Sequence, residues 1–156
     1  QGQALLSANG YQQYEISAYS QPQKQCRHNL NYWQFGDYIG IGAGAHGKLT
    51  DVNTQTIQRR WNHKNPRDYL NPSQPFLAGQ KHVDKKERAL EFMMNALRLY
   101  QPMPLSLFEE NTFLSRSEIE RPLDQAIREK YLNIDQDTLI LTQKGHNYLN
   151  SLLNLF

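Results

Sequence analysis

The chain has 156 residues, 38% of them hydrophobic and 11% aromatic, which suits one medium domain or two small ones. No apolar run approaches the roughly 20 residues of a membrane span, and the lone Cys26 excludes an internal disulfide, so the cytoplasm is the expected compartment. Residues 1–82 hold eight Lys/Arg against four Asp/Glu, whereas the remainder holds nine against eleven; small anionic ligands are favoured in the first half, and neither half has the dense basic surface of a nucleic-acid binder.

The opening QGQALLSANGYQQYEIS has no initiator Met and no basic-then-apolar leader, and reads as the interior of a longer protein. A helix-like phrase stops at Asn9-Gly10, and residues 11–17 have the aromatic and β-branched content of a strand. Residues 20–25 (SQPQKQ) read as a loop. Residues 38–42 (YIGIG) predict a short buried strand approached closely by another backbone or by a ligand. A short helix is expected over 54–61, then a helical turn with Asn65 as cap and Pro66 in its first position. The loop-rich stretch 71–82 is the expected boundary between a unit at 1–80 and a second at 81–156.

Beyond it helices dominate. Residues 85–100 place Ala89, Phe92, Met93, Ala96, Leu97 and Tyr100 on one face, and Pro102 and Pro104 stop the run. A second helix, residues 121–130, turns Leu123, Ala126 and Ile127 inward, followed by Tyr131. Residues 131–141 alternate around Asp135-Gln136-Asp137 as a two-stranded hairpin. A last helix from about Thr142 carries Tyr148, Leu149, Leu152, Leu153 and Phe156. The expected class is α+β, and the order helix, helix, small hairpin, helix is that of a winged-helix-like module. Because this tail is net acidic, packing or docking suits it better than phosphate binding.

The chemistry concentrates in residues 26–47, CRHNLNYWQFGDYIGIGAGAHG. Gly42-Ala43-Gly44-Ala45-His46-Gly47 matches G-x-G-x-x-G, but no amphipathic helix opens after it to hold a pyrophosphate, so a dinucleotide site is rejected. What remains is a segment where a ligand could meet bare backbone, or a tight packing corner without a ligand. Cys26, His28 and His46 lack zinc-ligand spacing and a fourth donor. Cys26, beside Arg27 and His28, has no identifiable oxyanion loop, and adjacent residues on an extended chain point apart. His28 sits among Asn29, Asn31, Tyr32 and Trp33, which suits either an imidazole beside flat aromatic walls that ligates a haem iron, or a buried His and Asn pair stitching a loop to a sheet.

Four phrases together carry a family resemblance: YEIS (14–17), HNxxYW (His28, Asn29, Tyr32, Trp33), GDYIGIGAGAHG (36–47) and RWN…P..YL (60–70), with the tail IERPLDQAIREKYL…LTQKGHNYLNSLL. The chain resembles the HemW-type haem chaperones, relatives of oxygen-independent coproporphyrinogen III oxidase in the radical S-adenosylmethionine (SAM) superfamily. The resemblance implies the last strands of a partial (β/α) barrel, then a HemN-like C-terminal domain. It implies a parent carrying a 4Fe–4S cluster, SAM and haem, with haem-acceptor proteins and the upstream barrel half as partners. This chain has no CxxxCxxC, so the cluster could not be held here. The resemblance assigns His28, Asn29, Tyr32 and Trp33 to haem, with His28 as possible iron ligand; charge alone then suggests Arg27 or Lys48 as a partner for haem propionates. It assigns Gly42, Gly44, Ala45 and His46 to the SAM region. An apolar residue occupies what looks like the His46 position in the true oxidases, which puts decarboxylating activity in question.

Overall fold

The computed structural model describes residues 1–156, an α+β chain of short antiparallel sheets and short helices. Two compact units form: Gln1–Phe35 with Ala89–Phe156, and Gly36–Arg88. A boundary at 80 cuts neither unit from the other, because the first is discontinuous in sequence.

The first unit begins with α1 (Gly2–Ala8), closed by Asn9, whose amide donates to Leu5 O at 2.8 Å. Strands β1 (Gln12–Glu15) and β2 (Ala18–Ser20) pair as a hairpin where a single strand is expected. The chain turns because the buried Glu15 carboxylate accepts from both the backbone N–H and the hydroxyl of Ser17 at 3.1 Å. Residues 26–33 are not extended, as the reading of Cys26 assumed. Arg27–Trp33 form α2, which ends before Phe35, a buried residue in the left-handed region at φ 63°.

The second unit is built on a three-stranded sheet of β3 (His46–Asp51), β4 (Thr56–Asn62) and β5 (Leu77–His82), in that order, with α3 (Pro66–Tyr69) between β4 and β5. Three expectations fail here. The predicted helix over 54–61 is β4, since TIQRRWN alternates, Ile57 is fully buried, and both edges pair with neighbours. Half of the predicted loop at 71–82 is β5. The YIGIG segment is no buried strand: pairing stops at the Tyr38–Lys48 bridge, and Ile39 and Ile41 are 77% and 86% exposed. The close backbone approach expected there is real, because a Cβ at Gly40 would overlap the backbone of His46. Asn65 caps α3 as predicted, accepting from Arg67 N–H at 3.0 Å, with Pro66 first in the helix.

From Ala89 the chain is again in the first unit. Helix α4 (Lys85–Ala96) buries Phe92, Met93 and Ala96 as its period predicts, while Tyr100 lies beyond its end and is partly exposed. Then come β6 (Met103–Pro104), α5 (Ser106–Thr112), a 3₁₀ turn at Arg116–Glu118 and α6 (Glu120–Arg128), which buries Leu123 and Ala126 but leaves Ile127 outside. The predicted hairpin is β7 (Leu132–Asp135) and β8 (Thr138–Leu141), turned by Gln136 and Asp137 at φ 44° and 63°, with β6 added on the far edge of β8. The last helix is broken at Tyr148 into α7 (Gln143–Asn147), capped by Thr142, and α8 (Leu149–Leu153). Its core runs through Phe35, Phe92 and Phe108, edge to face at 6.0 and 5.3 Å.

Candidate functional site

The candidate residues fall into two groups, one in each compact unit. The first is α2. In helical form HNxxYW reads as two i, i+4 pairs: His28 with Tyr32 on one stripe, Asn29 with Trp33 on the next. Asn29 donates to the Tyr14 hydroxyl at 3.1 Å, which ties α2 to the YEIS strand β1. His28 is exposed, so it is not the buried member of a His and Asn pair, and its ring is open to a ligand from outside. The Tyr32 and Trp33 rings meet edge to face at 4.9 Å. Above the Trp33 ring, 5.1 Å from its centroid, lies the Arg98 guanidinium. Trp33 Nε1 is buried without a hydrogen-bond partner. Cys26 is exposed at the start of the helix, and one thiol cannot hold a 4Fe–4S cluster, so the residues present do not fit that group.

Sequence reading missed the helix and Arg98. The i, i+4 repeat could have suggested the helix; nothing in the local sequence links Arg98 to Trp33 across 65 positions.

The second group is residues 42–46. Gly42 has φ +105°, a region L side chains rarely adopt, and nothing lies within 4 Å of where its Cβ would be. Yet the backbone donors here are engaged. Gly42 N–H donates to the Tyr69 hydroxyl at 3.1 Å, Gly44 N–H to His63 O at 2.8 Å, and Ala45 N–H to Gly42 O at 3.2 Å. The Asn62 amide donates to Gly40 O and Gly42 O at 3.2 and 3.0 Å. Asn62 and Tyr69, both in RWN…P..YL, therefore act as clamps on the glycine segment. A cavity of about 210 Å³ opens beside it, lined by Tyr38, Ile39, Ala45, Leu49, Arg60 and Leu77 among others. Gly42 faces open space but does not line this cavity, and no N–H of Gly42, Gly44 or Ala45 is left free for a SAM molecule. His46 is exposed at the start of β3, opposite Trp61.

Lys48, a candidate propionate partner, is excluded from that role. It is 2% exposed, and its ammonium is bound to Asp37 at 2.9 Å and Thr50 at 3.1 Å. Burial pushes the Asp37 carboxyl up, but hydrogen bonds from Thr50 and Lys48 outweigh it and hold the group below the ordinary aspartate range. Arg27 stays exposed. No helix is long and apolar enough to cross a membrane.

Residues 83–146 match the family model described as the HemN C-terminal domain. Along all 156 residues the chain is 46% identical to proteins named heme chaperone HemW from Buchnera aphidicola subsp. Acyrthosiphon pisum and from Escherichia coli K12, covering 41% and 40% of them. The chain thus spans about two fifths of the relatives it matches. In structure it is similar to Escherichia coli coproporphyrinogen III oxidase (HemN), a radical SAM enzyme, with a TM-score of 0.64 over 97% of this chain and 38% of that one, at 13% identity. That likeness concerns the fold alone.

Proposed function

We propose that this chain, which belongs to the HemW-type family of HemN-related proteins, forms the C-terminal part of a cytoplasmic haem chaperone that binds haem and passes it to acceptor haemoproteins. The observation that carries the reading is the 46% identity to named heme chaperones along the entire chain, motif region included. Haem is cargo here, and α2 is its contact. His28 presents an open imidazole to the iron, Tyr32 and Trp33 supply aromatic surface, and Asn29 fixes the helix through Tyr14.

In the full-length protein residues 1–80 would complete a partial (β/α) barrel together with the upstream half. Residues 81–156 would form the winged-helix-like C-terminal domain. The 4Fe–4S cluster would be held by cysteines outside this chain, and the segment Gly42, Gly44, Ala45 and His46 would lie near SAM, held in shape by Asn62 and Tyr69.

The competing reading is oxidative decarboxylation of coproporphyrinogen III, supported by the match of residues 83–146 to the HemN C-terminal domain. Full-length, cluster-reconstituted protein distinguishes them. Stoichiometric haem capture and delivery to an apo-haemoprotein, with no porphyrinogen consumed, is expected; turnover of the porphyrinogen overturns the chaperone assignment. His28→Ala should shift the Soret band and weaken haem binding about tenfold, roughly the worth of one good polar contact. An unchanged spectrum and affinity would remove His28 from the site.

A further inference from the structure

We propose that Arg98 is the anion-pairing residue of the α2 site: laid over the Trp33 indole, its guanidinium takes a carboxylate of the bound ligand, a propionate when that ligand is haem. The inference rests on the reading that α2 contacts haem, and adds to it a residue that lies outside the HNxxYW motif.

Three observations converge on Arg98. Its guanidinium carbon stands 5.1 Å from the Trp33 ring centroid, a cation–π arrangement that fixes the orientation of the group while leaving N–H donors for a planar bidentate acceptor. Next, the cation is uncompensated, because no carboxylate in the chain pairs with it; Lys48, Lys81 and Arg116 have acidic partners and Arg98 has none. Finally, the Trp33 indole N–H is buried with no acceptor, so the ring beneath Arg98 is placed by packing and by its edge-to-face contact with Tyr32 and not by a hydrogen bond, and its face is left to the guanidinium.

The surroundings agree in sign. No Asp or Glu occurs between Glu15 and Asp37, and α2 itself contains none, so a carboxylate arriving at Arg98 meets no opposing charge from that helix. Arg98 is half-buried, which strengthens a charge pair relative to one in open water while leaving the group reachable.

A ligand-by-residue cycle tests this in the full-length protein, using haem and haem dimethyl ester, whose propionates are blocked. Wild type should bind haem about tenfold more tightly than the ester, the worth of one charge-assisted pair. Arg98→Gln should abolish that preference by weakening haem binding while leaving ester affinity within about twofold, and Arg98→Lys should keep part of it. Equal losses for haem and ester in Arg98→Gln would mean that Arg98 only props Trp33, and no change in either would mean that it stays clear of the ligand; both overturn the proposal while leaving the chaperone reading intact. If His28→Ala and Trp33→Ala also leave haem binding untouched, α2 is not the haem contact, and the reading beneath the proposal falls with it.

Discussion

Asp37 does the work that keeps a lysine inside the second unit. A buried ammonium is tolerated only when paired and hydrogen-bonded, and Asp37 supplies the charge while also accepting from the backbone N–H and the hydroxyl of Thr50, both at 2.7 Å. Asp37→Asn should therefore destabilise the chain by about 1–3 kcal/mol, less than a fully buried pair because the aspartate side chain is 39% exposed. The folded-state pKa of Asp37 lies below its ordinary value of 3.8, so its contribution is complete above that value and is lost as pH falls through the lower folded value. Thermal melts from pH 7 to pH 2.5 should show the gap between wild type and Asp37→Asn closing only below about pH 4; a gap independent of pH would refute the pairing. Glycines nearby divide by cause. Gly40→Ala drives a methyl into the backbone of His46, which cannot yield as a side-chain tip could, whereas Gly42→Ala meets open space and only an unfavourable φ. Urea midpoints should fall for both, with Gly42→Ala costing about 1–2 kcal/mol and Gly40→Ala clearly more.

Among the elements, β4 best separates burial from mere hydrophobicity. Ile57 on β4 is fully enclosed, while Ile39 in the segment before β3 is 77% exposed although the sequence around it is the more apolar. Ile57→Ala should cost about 2–4 kcal/mol by chemical denaturation and Ile39→Ser no more than about 0.5; equal effects would mean that YIGIG is buried after all. The same contrast explains what could be read in advance. α4, α6 and the β7–β8 hairpin were legible because their apolar residues recur at spacings that each structure demands; α4 buries Phe92, Met93 and Ala96, and α6 buries Leu123 and Ala126 though not Ile127. In β4, Thr56, Ile57 and Trp61 fit a strand, but the polar run between them fits either period, and only pairing on both edges decides it. α2 carried only the i, i+4 pairs His28–Tyr32 and Asn29–Trp33 and no apolar stripe, because none of its residues is fully buried. The candidate site was legible as motifs and not as geometry: HNxxYW marked the right helix without revealing that it was one, and Arg98 was out of reach because its partnership with Trp33 is tertiary.

For the whole molecule, the question is how far the segment that matches the HemN C-terminal domain stands alone. The match begins at residue 83, yet the compact unit containing it takes in Gln1–Phe35 as well. The early residues supply identifiable contacts: Tyr14 O accepts from Tyr100 N–H at 3.0 Å, Gln34 O accepts from the Asn111 amide at 2.8 Å, and Phe35 sets its ring against Phe92. Residues 81–156 expressed alone keep β6, β7 and β8 with their helices, so the fragment should still unfold cooperatively. It loses the Phe35 contact and leaves the Asn111 amide and the Tyr100 N–H to water, a deficit of about 2–5 kcal/mol against the intact chain. Urea denaturation followed by tyrosine fluorescence and amide exchange measures this directly, with the fastest-exchanging amides expected around Phe92 and Tyr100, where the missing neighbours sat. A midpoint equal to that of residues 1–156 would show that a boundary near residue 80 is energetically clean. Loss of any cooperative transition would show the opposite, that the early strands and α2 are as much a part of this core as the helices that follow it.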